Sequence, residues 1–411
     1  MNKELYEIGK KVGSIFQNPK SQFFAQIVED EIAFGCENYG VRMELINPIV
    51  DKALESINGN TLKGKSLFYL SSGERQKVAI ASINALNLDI YVFDEPSANL
   101  DMESIETLKK LMLSLKNSGK TIVVSEHRLY YLEDIIDKYY YMDKGKITHC
   151  FSKNDLINKD EKELKKMGIR SLKLENIIPS NDLTENRKSE LRIENLSFSY
   201  EKSMLFQGLN CIFHSGAIYA VIGKNGVGKS TFSKVLCGLL KECNGSIYFN
   251  DKKIKRKNRK NIIYYLSNNT DSNLFGVSLD EEIKLNNNNV NTENLLKKYN
   301  LPNMKNRHPL TLSGGQKQRL TIAAAEVLNK DAFIFDEPTS GLDADSMHLV
   351  SDRLKELQKS GKIVIVITHD YEFLMETCTD VLMIYKNKIT TFNTKIDAKS
   401  ILQVLKNEGE A

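Results

Sequence analysis

The strongest constraint on this 411-residue chain is that it contains the same segment twice. LSSGERQKVAIASINALNLDIYVFDEPSANLD, starting at Leu70, returns from Leu312 as LSGGQKQRLTIAAAEVLNKDAFIFDEPTSGLD. The offset, 312 − 70 = 242, holds without a gap through Asp94/Asp336 and Asp101/Asp343 to His127/His369. A register this fixed means two copies of one fold, each burying its own core. The second copy extends back to a strand-like LRIENLSFSY at 191–200, whereas the same extension of the first copy runs off the start of the sequence. Matching Phe16-Gln17-Asn18 to the stretch near Ser267 gives 267 − 17 = 250. By that register a partner of Lys229 falls roughly twenty residues before Met1, and the first copy lacks about sixty N-terminal residues.

Apolar β-branched runs alternate with helical patterns in both copies. The runs are Tyr91-Val92-Phe93, Thr121-Ile122-Val123-Val124 and the stretches 218–222, 332–335 and 363–367. Such alternation predicts an α/β fold, a mostly parallel sheet covered by helices.

Gly223-Lys224-Asn225-Gly226-Val227-Gly228-Lys229-Ser230-Thr231 follows the strand-like 218–222 and precedes a helix-like 232–240. It fits G-x-x-x-x-G-K-[ST] in the strand–loop–helix setting that motif needs. Its glycines let backbone N–H groups curl around phosphates, Lys229 is placed for the β and γ phosphates, and the Ser230 hydroxyl can ligate Mg²⁺. Asp336 ends an apolar strand where a carboxylate can hold the Mg²⁺ shell, and Glu337 follows, placed to orient or deprotonate a water. Ser71, Ser72, Gly73 and Glu74, like Ser313, Gly314, Gly315 and Gln316, open a helix with Ser at the N-cap and Glu or Gln three residues on. Small residues there leave the helix N-terminus bare to an anion. His127 and His369 both follow an apolar strand, and their recurrence at the repeat offset suggests a γ-phosphate contact.

Together these residues resemble the ABC ATPase family over most of the chain. Residues 223–231 look like the Walker A loop and Phe335-Asp336-Glu337-Pro338 like the Walker B strand with its catalytic Glu. Residues 312–316 are similar to the family signature, Ser340-Gly341-Leu342-Asp343 to the D-loop, His369 to the switch histidine, and Tyr200 to the aromatic that stacks on adenine. Near the start, Phe16-Gln17-Asn18-Pro19, Gln22-Phe23-Phe24-Ala25 and the stretch 28–38 are similar to the Q-loop segment of ATPases that energise energy-coupling factor (ECF) transporters, importers of vitamins and transition metals. The implied fold is two P-loop NTPase-type nucleotide-binding domains in tandem, each with a helical subdomain: 1–150 lacking Walker A, a linker at 151–189, and 190–411 complete. The resemblance implies ATP and Mg²⁺ as ligands and head-to-tail pairing, with the ATP on Lys229, Ser230, Asp336, Glu337 and His369 closed by Ser71, Ser72, Gly73 and Glu74. The second composite site cannot be completed from this sequence, which leaves open a second ATPase chain as partner. Where the family has a Q-loop glutamine the second copy reads Leu266-Ser267-Asn268-Asn269-Thr270, so Asn268 and Asn269 are the candidates to replace it.

Composition narrows the role. No stretch of about 18 apolar residues exists to cross a bilayer, and the start lacks the basic-then-apolar pattern of a secretory signal. The six cysteines show no metal-ligand spacing, and a net charge of +4 spread along the chain gives no support to a nucleic-acid partner. The expectation is a cytoplasmic motor, peripheral on the inner face of the cell membrane, whose ATP hydrolysis drives separate integral membrane transport subunits. Two rivals stand beside it: a soluble tandem ATPase acting on ribosomes or nucleic acid, disfavoured by a short, mixed-charge linker, and an inactive gene fragment with unpaired strand edges.

Overall fold

The computed structural model describes residues 5–98, 100–185, 187–200, 203–285 and 287–407. The chain divides into two compact units, Met1–Lys173 and Leu174–Ala411. The division falls inside the stretch read as a linker, and that stretch is partly helical, at Lys153–Ile157 and Glu161–Lys166.

The first unit contains β1 (Val12–Ile15), β2 (Ile90–Asp94) and β3 (Thr121–Ser125), joined in that order into a parallel sheet. Ile15, Val28, Ile32, Val78, Tyr91 and Phe93 anchor its core. A separate antiparallel hairpin follows, β4 (Lys138–Asp143) and β5 (Lys146–Ser152).

In the second unit, β6 (Glu190–Tyr200), β7 (Ser203–His214), β9 (Asn244–Phe249) and β10 (Lys252–Lys253) make an antiparallel sheet in the order β10-β9-β6-β7. Of this sheet only the stretch 191–200 was legible as a strand beforehand. The main sheet consists of β8 (Ile218–Ile222), β11 (Ile263–Leu266), β12 (Ala332–Asp336), β13 (Ile363–Ile367), β14 (Asp380–Tyr385) and β15 (Lys388–Asn393), in the order β11-β12-β13-β8-β14-β15. All but β15 run parallel. β8, β12 and β13 are buried along their whole length, which is why they read as unbroken apolar runs rather than alternating ones.

The sequence offset of 242 maps β3 onto β13, β4 onto β14 and β5 onto β15, and the pairings show where the copies part. In the second unit β8 lies between β13 and β14. Among the described residues of the first unit no strand pairs with the outer edge of β3, and the β4–β5 hairpin forms a sheet of its own. Val123 on β3 is 52 % exposed, whereas its counterpart Ile365 on β13 is fully buried.

Candidate functional site

In the second unit the chain leaves β8 through three glycines with left-handed backbones: Gly223 at φ 145°, Gly226 at 85° and Gly228 at 103°. A Cβ on Gly223 would sit 2.6 Å from the Ile384 carbonyl oxygen, and one on Gly228 2.8 Å from the Leu205 side chain, so both positions need glycine sterically as well as conformationally. The left-handed Gly228 turns the chain into the helix Lys229–Leu236, three residues earlier than the pattern at 232–240 suggests, and Gly238 at φ 84° closes it. Lys229 is buried and its ammonium donates to the carbonyls of Gly223 at 2.5 Å and Lys224 at 3.1 Å. The amine is thus folded back over the loop it serves. Ser230 and Thr231 stand in the first turn of this helix.

β12 delivers Asp336, 3 % exposed, to the same end of the sheet. The Tyr265 hydroxyl donates to its Oδ2 at 2.7 Å. Burial pushes the Asp336 carboxyl up from its ordinary range, while hydrogen bonds from Ser230 and Tyr265 and the nearby Lys229 ammonium pull it back. The half-buried Ser230 hydroxyl and the buried Asp336 carboxylate are hard oxygen donors beside a lysine, a set that fits a small divalent cation such as Mg²⁺.

Glu337 follows with φ 50°, and its counterpart Glu95 has φ 44°. Left-handed backbone at a non-glycine residue is uncommon, and here it is duplicated. Both amides are tied to the next strand, Glu337 N–H to the Ile367 carbonyl at 2.9 Å and Glu95 N–H to the Ser125 carbonyl at 2.8 Å. Each carboxylate faces a histidine, His369 Nε2 to Glu337 Oε1 at 3.9 Å and His127 Nε2 to Glu95 Oε1 at 3.4 Å. The Thr368 hydroxyl also donates to Glu337 at 3.4 Å.

Tyr200, half-exposed at the end of β6, packs edge-on against Phe198 with ring centroids 4.9 Å apart, and its hydroxyl lies 3.3 Å from that of Thr231. An exposed ring face beside the phosphate-loop helix is where a base can stack.

Both predicted helix openings are capping boxes. Ser313 caps the helix Gly314–Glu326 with Gln316, and Ser71 caps Ser72–Asn84 with Glu74. In the latter, burial works against ionisation of Glu74, but hydrogen bonds from Ser71 and the charge of Lys65 hold its carboxyl below the ordinary range. A Cβ on Gly314 would meet nothing within 4 Å, so that helix end is open. Gly73 is buried, and of Ser72 only its place in the helix is described.

Strand pairing corrects the register of the two Q-loop segments. Ile15 pairs with Phe93 and Leu266 with Phe335, so β1 and β11 match at an offset of 266 − 15 = 251 and Asn268 occupies the place of Gln17. Gln17 donates to Glu95 at 2.6 Å. Asn268 is exposed, and the polar contact in its neighbourhood is instead that of Tyr265 with Asp336. Sequence reasoning missed Tyr265. The signal available was its strand position three residues before Asn268, on the same face of β11 as Ile263.

The sequence model of the ABC transporter family matches residues 1–98 and 206–340. A protein of Treponema denticola described as an ABC transporter ATP-binding protein is 37 % identical over 395 residues, covering 94 % of this chain and 81 % of the relative. A Bacillus subtilis protein described as an HMP/thiamine import ATP-binding protein is 30 % identical, covering 92 % and 75 %. Among solved structures, archaeal ABCE1 bound to the ribosome with Pelota aligns with a TM-score of 0.71 over 97 % of this chain and 68 % of that one. The archaeal ribosome recycling factor aABCE1, in complex with the stalk protein aP1, aligns with a TM-score of 0.66 over 95 % and 76 %. At 21 % and 20 % identity these two bear on the fold alone, which is that of tandem α/β ABC ATPases.

Proposed function

This chain belongs to the ABC transporter family and is an ATPase, and on that premise we propose that it energises an importer of the ECF type, working against separate integral membrane subunits from the inner face of the cell membrane. The observation that carries this reading is a duplicated display of aromatic side chains. Phe24 and Phe275, equivalent at the offset of 251, are 75 % and 77 % exposed. In each case a glutamate seven residues on fastens the backbone that presents the ring. Glu31 accepts from the N–H groups of Phe24 and Ala25, both at 2.8 Å, and Glu282 from those of Phe275 and Gly276 at 2.7 and 2.6 Å. Burial pushes the Glu31 carboxyl up, and these two N–H groups oppose the shift. Phe24 stacks on the exposed Phe34 at 5.0 Å, and Met43 is exposed on the helix after it. Apolar side chains held out in water by buried hydrogen bonds mark a docking surface. The import role that the Bacillus subtilis relative's description gives it agrees with this.

In the proposed cycle Tyr200 stacks on adenine, and the N–H groups of 224–231 cradle the phosphates with Lys229. Ser230 and Asp336 would hold a Mg²⁺ ion, which would neutralise phosphate charge. Glu337, turned back by its left-handed backbone, takes the proton of the water that attacks the γ-phosphorus as the bond from that phosphorus to the β–γ bridging oxygen breaks and ADP leaves, and His369 donates to a γ-phosphate oxygen. Glu95 and His127 face one another likewise in the first unit, whose described residues hold no phosphate loop, and the hydrolytic roles are assigned to Glu337 and His369.

The test is co-expression of the chain with candidate ECF-type membrane subunits, followed by purification in detergent. Recovery of a complex whose ATPase rate responds to those subunits supports the reading, and recovery of the chain on ribosomes in its place refutes it.

A further inference from the structure

We propose that Tyr265 is a positioning residue of the hydrolytic site, holding the Asp336 carboxylate in the orientation in which it and Ser230 receive a divalent cation. The inference rests on the reading of that pair as the cation's ligands. On β12, Ala332, Ile334 and Asp336 alternate onto the sheet face covered by Phe232, Val235 and Leu236 of the phosphate-loop helix. On the neighbouring β11, Ile263 and Tyr265 share that face, with Tyr265 in register with Ile334. The ring therefore lies between the two elements that carry Ser230 and Asp336. Its hydroxyl donates to Asp336 Oδ2 at 2.7 Å and also interacts with the Ser230 hydroxyl. A carboxylate has two oxygens, and fixing Oδ2 from the sheet side leaves the other oxygen to the ligand. Hydrogen-bonded partners behind a ligand set its direction and basicity, and losing one commonly costs metal affinity.

The repeat shows that this arrangement belongs to one copy. Ser14, in register with Val92, occupies the Tyr265 position in the first unit and is too short to span the same gap. There the polar link crosses from Gln17 to Glu95 instead. In the second unit the Gln17 position holds Asn268, one methylene shorter, and Tyr265 supplies a contact to the neighbouring carboxylate. In the second unit the polar contact beside this strand is thus made by a strand phenol to Asp336, and in the first by a loop carboxamide to Glu95. A phenol on a strand has less freedom than a carboxamide on a loop, so the site is ordered before nucleotide arrives.

The test uses the full chain with a non-hydrolysable ATP analogue and Mn²⁺ as the probe, read by electron paramagnetic resonance at saturating analogue. Tyr265→Phe keeps the ring and removes only the donor. Expected is a loss of Mn²⁺ affinity of about tenfold or more, with analogue binding in EDTA and thermal stability unchanged. Mn²⁺ affinity within about twofold of wild type overturns the assignment. So does an equal loss of analogue binding in EDTA, which would mark Tyr265 as merely structural. Asp336→Asn separates this proposal from the reading beneath it. If Asp336→Asn removes Mn²⁺ binding while Tyr265→Phe does not, only the role of Tyr265 falls; if Asp336→Asn leaves Mn²⁺ affinity intact, the ligand reading falls and takes the positioning role with it.

Discussion

Gln17 Nε2 donates to Glu95 Oε2 at 2.6 Å across 78 residues of sequence, and the matching pair in the second unit, Asn268 and Glu337, makes no such bond among the described residues. The two copies thus hold the same glutamate in the same left-handed backbone with different side-chain restraints. In the first, the carboxylate is tied to a loop glutamine and a histidine. In the second, it meets Thr368 and His369.

That difference predicts unequal mutants. Glu337→Gln is expected to lower steady ATP hydrolysis by about 10²- to 10⁴-fold while ATP binding survives. Glu95→Gln is expected to change the rate by less than about twofold, since the described residues of its own unit hold no phosphate loop beside it. Equal losses from the two substitutions in a purified-chain assay would show that a second working site exists.

Lys229→Ala is expected to weaken ATP binding by roughly 10- to 100-fold, the scale of one charge-assisted hydrogen bond at about 1.5–3 kcal/mol. The ammonium already bonds two loop carbonyls, so the variant should also loosen the loop. Fluorescent-nucleotide titration measures the first effect and proteolysis within 223–231 the second.

The aromatic display makes a prediction about partners. Phe24→Asp and Phe275→Asp should each leave ATP hydrolysis by the isolated chain intact. Each should lower recovery of membrane subunits in detergent, on the scale of about 1.5–3 kcal/mol for a fully buried Phe. Undiminished recovery in the double substitution would remove the observation on which the importer reading stands.

Stability of the second unit should depend on pH through Arg259 and Glu242. The Arg259 guanidinium is 2 % exposed and makes a two-pronged contact with the Glu242 carboxylate, at 2.9 and 2.6 Å. Burial opposes ionisation of Glu242, but Arg259 outweighs it and the carboxyl is lowered below its ordinary value of 4.5. A depressed carboxyl contributes stability that is fully present above the unfolded-state value and is lost as pH falls through the folded one, so the contribution begins to fade as pH falls below about 4.5. Glu242→Gln should cost about 3–5 kcal/mol at neutral pH by leaving the guanidinium buried beside a neutral group, and should flatten the acid limb of a pH–melting curve.

How much of this was legible beforehand depended on the range of the interaction. The repeat, the phosphate loop, β8, β12 and both capping boxes were readable because each is specified by residues close in sequence. The four-stranded antiparallel sheet was mostly not, since β9 and β10 follow only after the phosphate-loop helix and β6 pairs through irregularities around Asn195 and Ser197 that break the alternation. The exact match of Gln17 to Asn268 was also out of reach. The copies change their offset from 251 to 242 between β11 and the signature helix, and only the shared pairing with Phe93 and Phe335 fixes it. Tyr265 was invisible for a further reason: its chemistry lies in a bond to Asp336, 71 residues away.

The outer edge of β3 has a consequence for how the molecule breathes. An amide on β13 is enclosed by hydrogen-bonded neighbours on both sides, and exchanging its proton with solvent requires opening much of the second unit. Among the described residues β3 pairs with β2 alone, and Val123 is exposed. Deuterium should therefore enter residues 121–125 orders of magnitude sooner than 363–367, although the two stretches are copies of one another. The β3 amides would act as a built-in reporter, falling silent whenever another strand settles against that edge.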